Sequence, residues 1–129
     1  MSLQIIGGKY KGRKLSTPKQ DSTRPTQGML REAVFNICQC EIEEALFLDL
    51  YAGSGAMGLE ALSRGAKHVT FVEKKRDAIL CIKKNIETLD VKEEATLLAR
   101  DAMEALSQMK TPFDLIYIDP PYDLSTRPV

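Results

Sequence analysis

From residue 45 onward, short apolar runs alternate with longer stretches in which apolar residues recur every three or four positions. The runs are Leu46-Phe47-Leu48-Asp49-Leu50, His68-Val69-Thr70-Phe71-Val72, Ala95 to Ala99 and Leu115-Ile116-Tyr117-Ile118. Each has the length of a strand and lacks the polar alternation of a half-wet sheet, so each reads as a strand covered on both sides. Between them the pattern predicts a helix from about Met57 to Arg64, stopped by Gly65. A second helix places Ile79, Ile82, Ile86 and Leu89 on one face, and a short third spans about Ala102 to Met109. Strand, helix, strand in regular alternation predicts an α/β fold: a parallel sheet with helices on both faces.

The front of the chain follows another pattern. Leu3 to Ile6 and then Gly7 to Leu15 read as an N-terminal β-hairpin whose glycines supply the turn and expose Tyr10 among cations. A polar connector with Pro18, Asp21 and Pro25 follows. Thr26 is placed to cap the next helix, where Leu30, Val34 and Ile37 form an apolar stripe that runs to about Cys38.

The 129 residues are 43% hydrophobic and 28% charged, the composition of one ordinary globular domain. No apolar run approaches a membrane span or a secretory signal, so a cytoplasmic location without a membrane partner is expected. Cys38, Cys40 and Cys81 read as reduced thiols rather than a metal site. Net charge is zero, yet its distribution is uneven. Met1 to Arg31 holds seven basic residues against one acid, and the remainder eleven against seventeen. A basic front on an acidic body suggests a polyanionic partner such as nucleic acid. His68 reads as a strand-start residue with no catalytic duty.

In doubly wound sheets, ligands bind beyond the carboxyl ends of the strands, and four such ends are polar here. The first runs from Asp49 into a turn where Gly53 and Gly55 let backbone approach a ligand and Gly58 permits close helix packing. A tight structural turn explains those glycines equally well. The second ends at Glu73, at the spacing from Gly53 where a carboxylate reaches ribose hydroxyls, so the two together argue for an adenosine-containing cofactor. The third leads into Asp101 and Ala102, suited to adenine, although Asp101 is as well placed to be a helix N-cap.

The fourth end, Asp119-Pro120-Pro121-Tyr122, is the most specific signal. An acceptor side chain, a carbonyl held by consecutive prolines and an aromatic ring suit an exocyclic amine on a planar base. Accepting both N–H bonds drives that nitrogen toward tetrahedral geometry and aims its lone pair at an electrophile.

The stretches Asp49 to Ala66, Phe71 to Lys74 and Asp119 to Tyr122 resemble the class I, Rossmann-like methyltransferases that use S-adenosylmethionine. With Ile5 to Leu15, Thr23 to Thr26, Arg31-Glu32 and Phe35-Asn36, the chain resembles the RsmD family, which methylates the exocyclic N2 of a guanine in 16S ribosomal RNA. The resemblance implies that Asp49, Tyr51, Ala52, Gly53, Ser54 and Gly55 surround the methionine part of the cofactor. It places Glu73 at the ribose with Lys74 as a further cofactor-binding residue, Asp101 and Ala102 at the adenine, and Asp119, Pro120, Pro121 and Tyr122 at the target base. Lys9, Tyr10, Lys11, Arg13, Lys14 and Arg24, with Arg31 as a further candidate, would grip the RNA or a small-subunit assembly intermediate. Residues 1–26 then form an RNA-binding extension and 27–129 the methyltransferase domain. The last three strands of the family's sheet are expected to be missing, leaving the fourth strand as an exposed apolar edge and methyl transfer weak or absent. The alternatives are a DNA adenine-N6 or cytosine-N4 methyltransferase, a noncatalytic nucleotide- or RNA-binding module, and, less favoured, a dehydrogenase.

Overall fold

The structure is a computed structural model describing residues 3–18, 25–110 and 112–120, with side chains described for all of these but 25–27. Two short strands, β1 (Leu3–Gln4) and β2 (Lys14–Leu15), pair antiparallel as the expected hairpin. Helices α1 (Pro25–Ile37) and α2 (Gln39–Ile42) lead into the main sheet. Its strands are β3 (Leu46–Leu50), β4 (His68–Glu73), β5 (Ala95–Ala99) and β6 (Leu115–Ile118). Between them run α3 (Ala56–Ser63), α4 (Arg76–Leu89) and α5 (Ala102–Gln108). The four strands are parallel in the order β5-β4-β3-β6, so the two earliest strands take the centre and the chain reverses direction beside β3. That reversal is the topological switch point, where two crossovers part and leave a crevice.

Alternate residues of the two central strands, β3 and β4, feed two separate cores. Phe47, Val69 and Phe71 pack with Leu59 and Leu62 of α3, Ile82 and Leu89 of α4, Phe35 of α1 and Leu3, Ile5 and Leu15 of the hairpin. Leu48, Leu50 and Val72 pack with Ala102 and Ala105 of α5. Helices therefore cover both faces, but unequally. Ile116 and Ile118 lie in register with Leu48 and Leu50 on the α5 face, and are 51% and 57% exposed.

Three expectations change at the front. Helix α1 starts at Pro25, so Thr26 lies inside its first turn rather than capping it; proline suits a first helical position because it has no N–H to leave unpaired. The stripe Leu30 and Ile37 faces outward, at 55% and 81% exposure, while Arg31 and Phe35 turn inward. Tyr10 is half-buried against the core rather than displayed, and Lys9 Nζ sits 5.2 Å from its ring centroid. Helix α2 is an addition to the expected elements. The described residues contain no helix long and apolar enough to cross a membrane.

Candidate functional site

The carboxyl ends of the four parallel strands share one edge, and the turn from β3 into α3 is bent there by three left-handed residues. Tyr51, Gly53 and Gly55 have φ of 58°, 59° and 84°. Ala52 donates its N–H to the Val72 carbonyl at 3.1 Å, and Gly55 donates to Ala52 at 2.8 Å. A Cβ on Gly58 would stand 2.3 Å from Phe71 Cε1 and 2.7 Å from Val69 Cγ1, so glycine lets α3 lie directly on β4. Gly53 differs: a Cβ there meets nothing within 4 Å, because it would point into open space at the strand ends.

Glu73 is 9% exposed and held on both oxygens. Oε1 accepts from Gly53 N at 2.8 Å, and Oε2 accepts from the N–H groups of Lys74 and Lys75 at 3.1 and 3.0 Å. The carboxylate is thus fixed by backbone while each oxygen keeps acceptor capacity for a further donor. Asp101 caps α5, its Oδ2 accepting from Glu104 N at 3.1 Å, and its Oδ1 lies 3.8 Å from Lys74 Nζ. The capping reading is thereby met, while Ala102, the next residue, lines the larger of two cavities at the strand ends and Asp101 itself lines neither.

Asp49 is strongly perturbed. It is 1% exposed and accepts from Gly58 N at 3.0 Å. Burial, with the nearby charges of Glu73 and Asp119, pushes its carboxyl up to about 8, against the favourable Gly58 bond. The Tyr117 phenol is also raised, first by burial and then by Asp119 and Asp49. Burial thus holds the Asp49 proton at neutral pH in a place where a cationic ligand would favour its loss.

Two cavities flank the Tyr51–Gly53 turn. The larger, about 400 Å³, is walled by Gly53, Val72, Glu73, Ala102 and Asp119 among others. The smaller, about 150 Å³, is walled by Arg31, Asp49, Ala52, Ser54, Tyr117 and Asp119 among others. Tyr51, Gly53 and Asp119 border both. Pro18, Lys75, Asp77 and Ala78 also line the larger space and were missed from sequence. Lys75 precedes α4 and Asp77 and Ala78 lie in its first turn, just after Glu73, and that adjacency was the available signal. Asp119 and Pro120 are exposed at the end of β6. Pro121, Tyr122 and Arg24 lie outside the described residues.

Lys9, Lys11, Arg13 and Lys14 are exposed on the hairpin, and Arg13 Nη2 donates to the Thr88 carbonyl at 2.8 Å. Arg31, by contrast, is 4% exposed and is not part of that cationic face. Its Nε donates to Glu60 Oε1 at 3.0 Å and its Nη2 to the Gln4 carbonyl at 2.6 Å. Glu60, fully buried, also accepts from Ile6 N, Gly7 N and Arg64 Nε at 3.0, 2.9 and 2.8 Å. One carboxylate thus docks the hairpin on α3. Asn85, 1% exposed, makes a second clamp: its Oδ1 accepts from Ser16 N at 2.7 Å, and its Nδ2 donates to the Ser16 and Ser54 carbonyls at 3.0 Å each. The connector behind the hairpin is thereby tied to the glycine turn.

Known proteins are similar to this chain in sequence and in fold. The family model described as "Conserved hypothetical protein 95" matches residues 3–128. The chain is 42% identical over 120 residues to the ribosomal RNA small subunit methyltransferase D of Escherichia coli (strain K12), covering 93% of this chain and 60% of that protein. It is 40% identical over 123 residues to YlbH of Bacillus subtilis (strain 168), covering 93% of this chain and 67% of that one. The structure of yhhF from Escherichia coli superposes with a TM-score of 0.85 at 39% identity, over 95% of this chain and 65% of that one. A structure described as the T. thermophilus 16S rRNA N2 G1207 methyltransferase (RsmC) in complex with AdoMet and guanosine superposes with a TM-score of 0.71 at 26% identity, over 96% of this chain and 33% of that one. The chain therefore spans about three fifths to two thirds of the curated relatives' length. With the α/β methyltransferase fold, the N-terminal hairpin and a match along almost its whole length, this chain belongs to the Conserved hypothetical protein 95 family, the RsmD family.

Proposed function

We propose that the chain carries the cofactor-binding and base-holding parts of an S-adenosylmethionine-dependent methyltransferase acting on the exocyclic N2 of a guanine in 16S ribosomal RNA. Adenosine fits the larger cavity, its ribose hydroxyls donating to the fixed Glu73 carboxylate and its adenine lying beside Ala102, with Asp101 at the adjoining position of the chain. The donor's methionine part fits the turn from Asp49 to Gly55, where Tyr51, Ala52, Gly53 and Ser54 wall the smaller cavity. Lys74 stands at the ribose edge of the larger one. Once bound, the cofactor supplies an electrophilic methyl group.

The chain's own work is positioning. Asp119 and the Pro120 carbonyl accept the N–H bonds of the guanine amine, freeing its lone pair, while Pro121 stiffens the turn and Tyr122 stacks on the base. Orientation of this kind is worth effective molarities of about 10⁵ to 10⁸ M. Acceptors aimed at the positive charge developing on nitrogen add to it. Residues 1–26 act as the RNA-binding extension, with Lys9, Tyr10, Lys11, Arg13, Lys14 and Arg24 along the phosphates. The guanine must leave its stack to reach Asp119.

The observation that carries this reading is the place of Asp119 on the wall of both cavities, where an acceptor for the amine meets both halves of the donor. Single-turnover transfer of labelled methyl groups to unmodified small-subunit RNA, with protein in excess, tests it. Label is expected on guanine N2 and is lost in Asp119→Ala while RNA binding persists. Label on another atom, or transfer unchanged in Asp119→Ala, overturns it.

A further inference from the structure

The cluster under the hairpin holds more positive than negative charge. Glu60 has no exposed side-chain surface, yet two guanidiniums share it: Arg31 at 3.0 Å with 5% of its side chain exposed, and Arg64 at 2.8 Å with 17%. One positive charge is left over in a place with little water, which favours an anion. Of the two, Arg31 is the one that walls the smaller cavity. Its Nε is taken by Glu60 and its Nη2 by the Gln4 carbonyl, so Nη1 remains for a further acceptor. Neither Asp49 nor Asp119, on the same cavity, forms an ion pair with it among the described residues.

A cavity of about 150 Å³ lined by a basic residue, Arg31, and two acidic ones, Asp49 and Asp119, complements a zwitterion. We propose that Arg31 receives the α-carboxylate of the cofactor's amino-acid end, with the α-ammonium directed toward Asp49. The inference rests on the cofactor reading above and extends it to a residue whose sequence context pointed to RNA. Glu60 and Gln4 make Arg31 a prearranged binding residue: its rotamer is fixed before the ligand arrives, so little side-chain entropy is lost on binding.

The test compares two ligands by calorimetric titration of the 129-residue chain. S-adenosylhomocysteine carries the amino-acid end, and 5′-deoxy-5′-methylthioadenosine carries the same adenosine without it. The wild-type chain is expected to prefer the first. Arg31→Met leaves Glu60 paired with Arg64 and two backbone N–H groups, so the fold should persist. It should weaken S-adenosylhomocysteine by about tenfold to a hundredfold, the range for a lost charged hydrogen bond, with methylthioadenosine unchanged. Arg31→Lys, which keeps the charge but loses the fork, should fall between, and gives the same comparison if the methionine variant does not fold. Equal weakening of both ligands assigns Arg31 a purely structural role and overturns the inference, as does equal affinity of wild type and variants for S-adenosylhomocysteine. Failure of the wild type to bind either nucleoside instead overturns the cofactor reading on which it stands.

Discussion

Glu73, at the end of β4, accepts the amide N–H of Gly53 at 2.8 Å across 20 positions of sequence. That bond fixes the distance between the glycine turn and the carboxylate before any ligand arrives. The site is built so that one acidic side chain shapes the turn and still has capacity to accept ribose donors.

The two glycines of this region should respond differently to alanine. Gly58→Ala drives a Cβ into Phe71 and Val69, both fully buried, and should cost about 1 to 3 kcal/mol of stability by overpacking. Gly53→Ala meets no neighbour and should cost about 1 kcal/mol for its left-handed backbone. Its methyl group projects toward the cavity, however, so S-adenosylhomocysteine affinity should drop. Urea unfolding and ligand titration on both variants separate the two effects.

Asp49 gives a pH dependence of defined sign. The unfolded chain loses this proton near 3.8, whereas the folded chain keeps it to about 8. Between those values the native state binds a proton that the unfolded state lacks, so stability falls as pH rises. The contribution is whole below 3.8 and gone above about 8. Asp49→Asn, which can still accept from Gly58 N, should flatten this part of the stability–pH curve measured by urea unfolding. An unchanged slope contradicts the assignment.

Much of this architecture is legible in the residues themselves. The parallel strands are continuous apolar runs because both faces are covered, and β3, β5 and β6 begin and end where the runs do. The N-cap role of Asp101 was legible because the residue stands directly before a helix, at a position where a short acceptor side chain is favoured. The inward face of α1 was not legible. Leu30 and Ile37 form the better apolar stripe, but the fold turns Arg31 inward to meet Glu60, 29 positions later. A buried ion pair of that separation leaves no local pattern. Asn85 was hidden likewise, a polar residue on an apolar helix face whose partners, Ser16 and Ser54, lie 69 and 31 positions away.

Those hidden contacts predict a local defect. Asn85→Ala leaves the Ser16 amide and the Ser54 carbonyl without this partner, and should cost about 1 to 3 kcal/mol for each buried group that water does not reach. Amide exchange should rise together near Ser16 and in the 51–55 turn, with the β3–β4 pairing still protected. Exchange confined to one of the two segments contradicts the clamp.

The α5 face of β6 predicts association. Ile116 and Ile118 are more than half exposed on a strand that, among the described residues, pairs only with β3. Unpaired apolar edges template pairing between chains. The 129-residue chain should sediment increasingly fast as concentration rises, and Ile118→Lys should reduce that trend.

Titration of the wild-type chain and Glu73→Gln with S-adenosylhomocysteine is the most direct measurement of the whole account. The amide that replaces the carboxylate keeps one acceptor oxygen but turns its NH₂ toward backbone N–H groups, so both turn and ribose contacts suffer. Saturable one-to-one binding by wild type, weakened about tenfold or more in the variant, is the predicted result. Absence of binding to wild type, or identical affinity in the two, contradicts it.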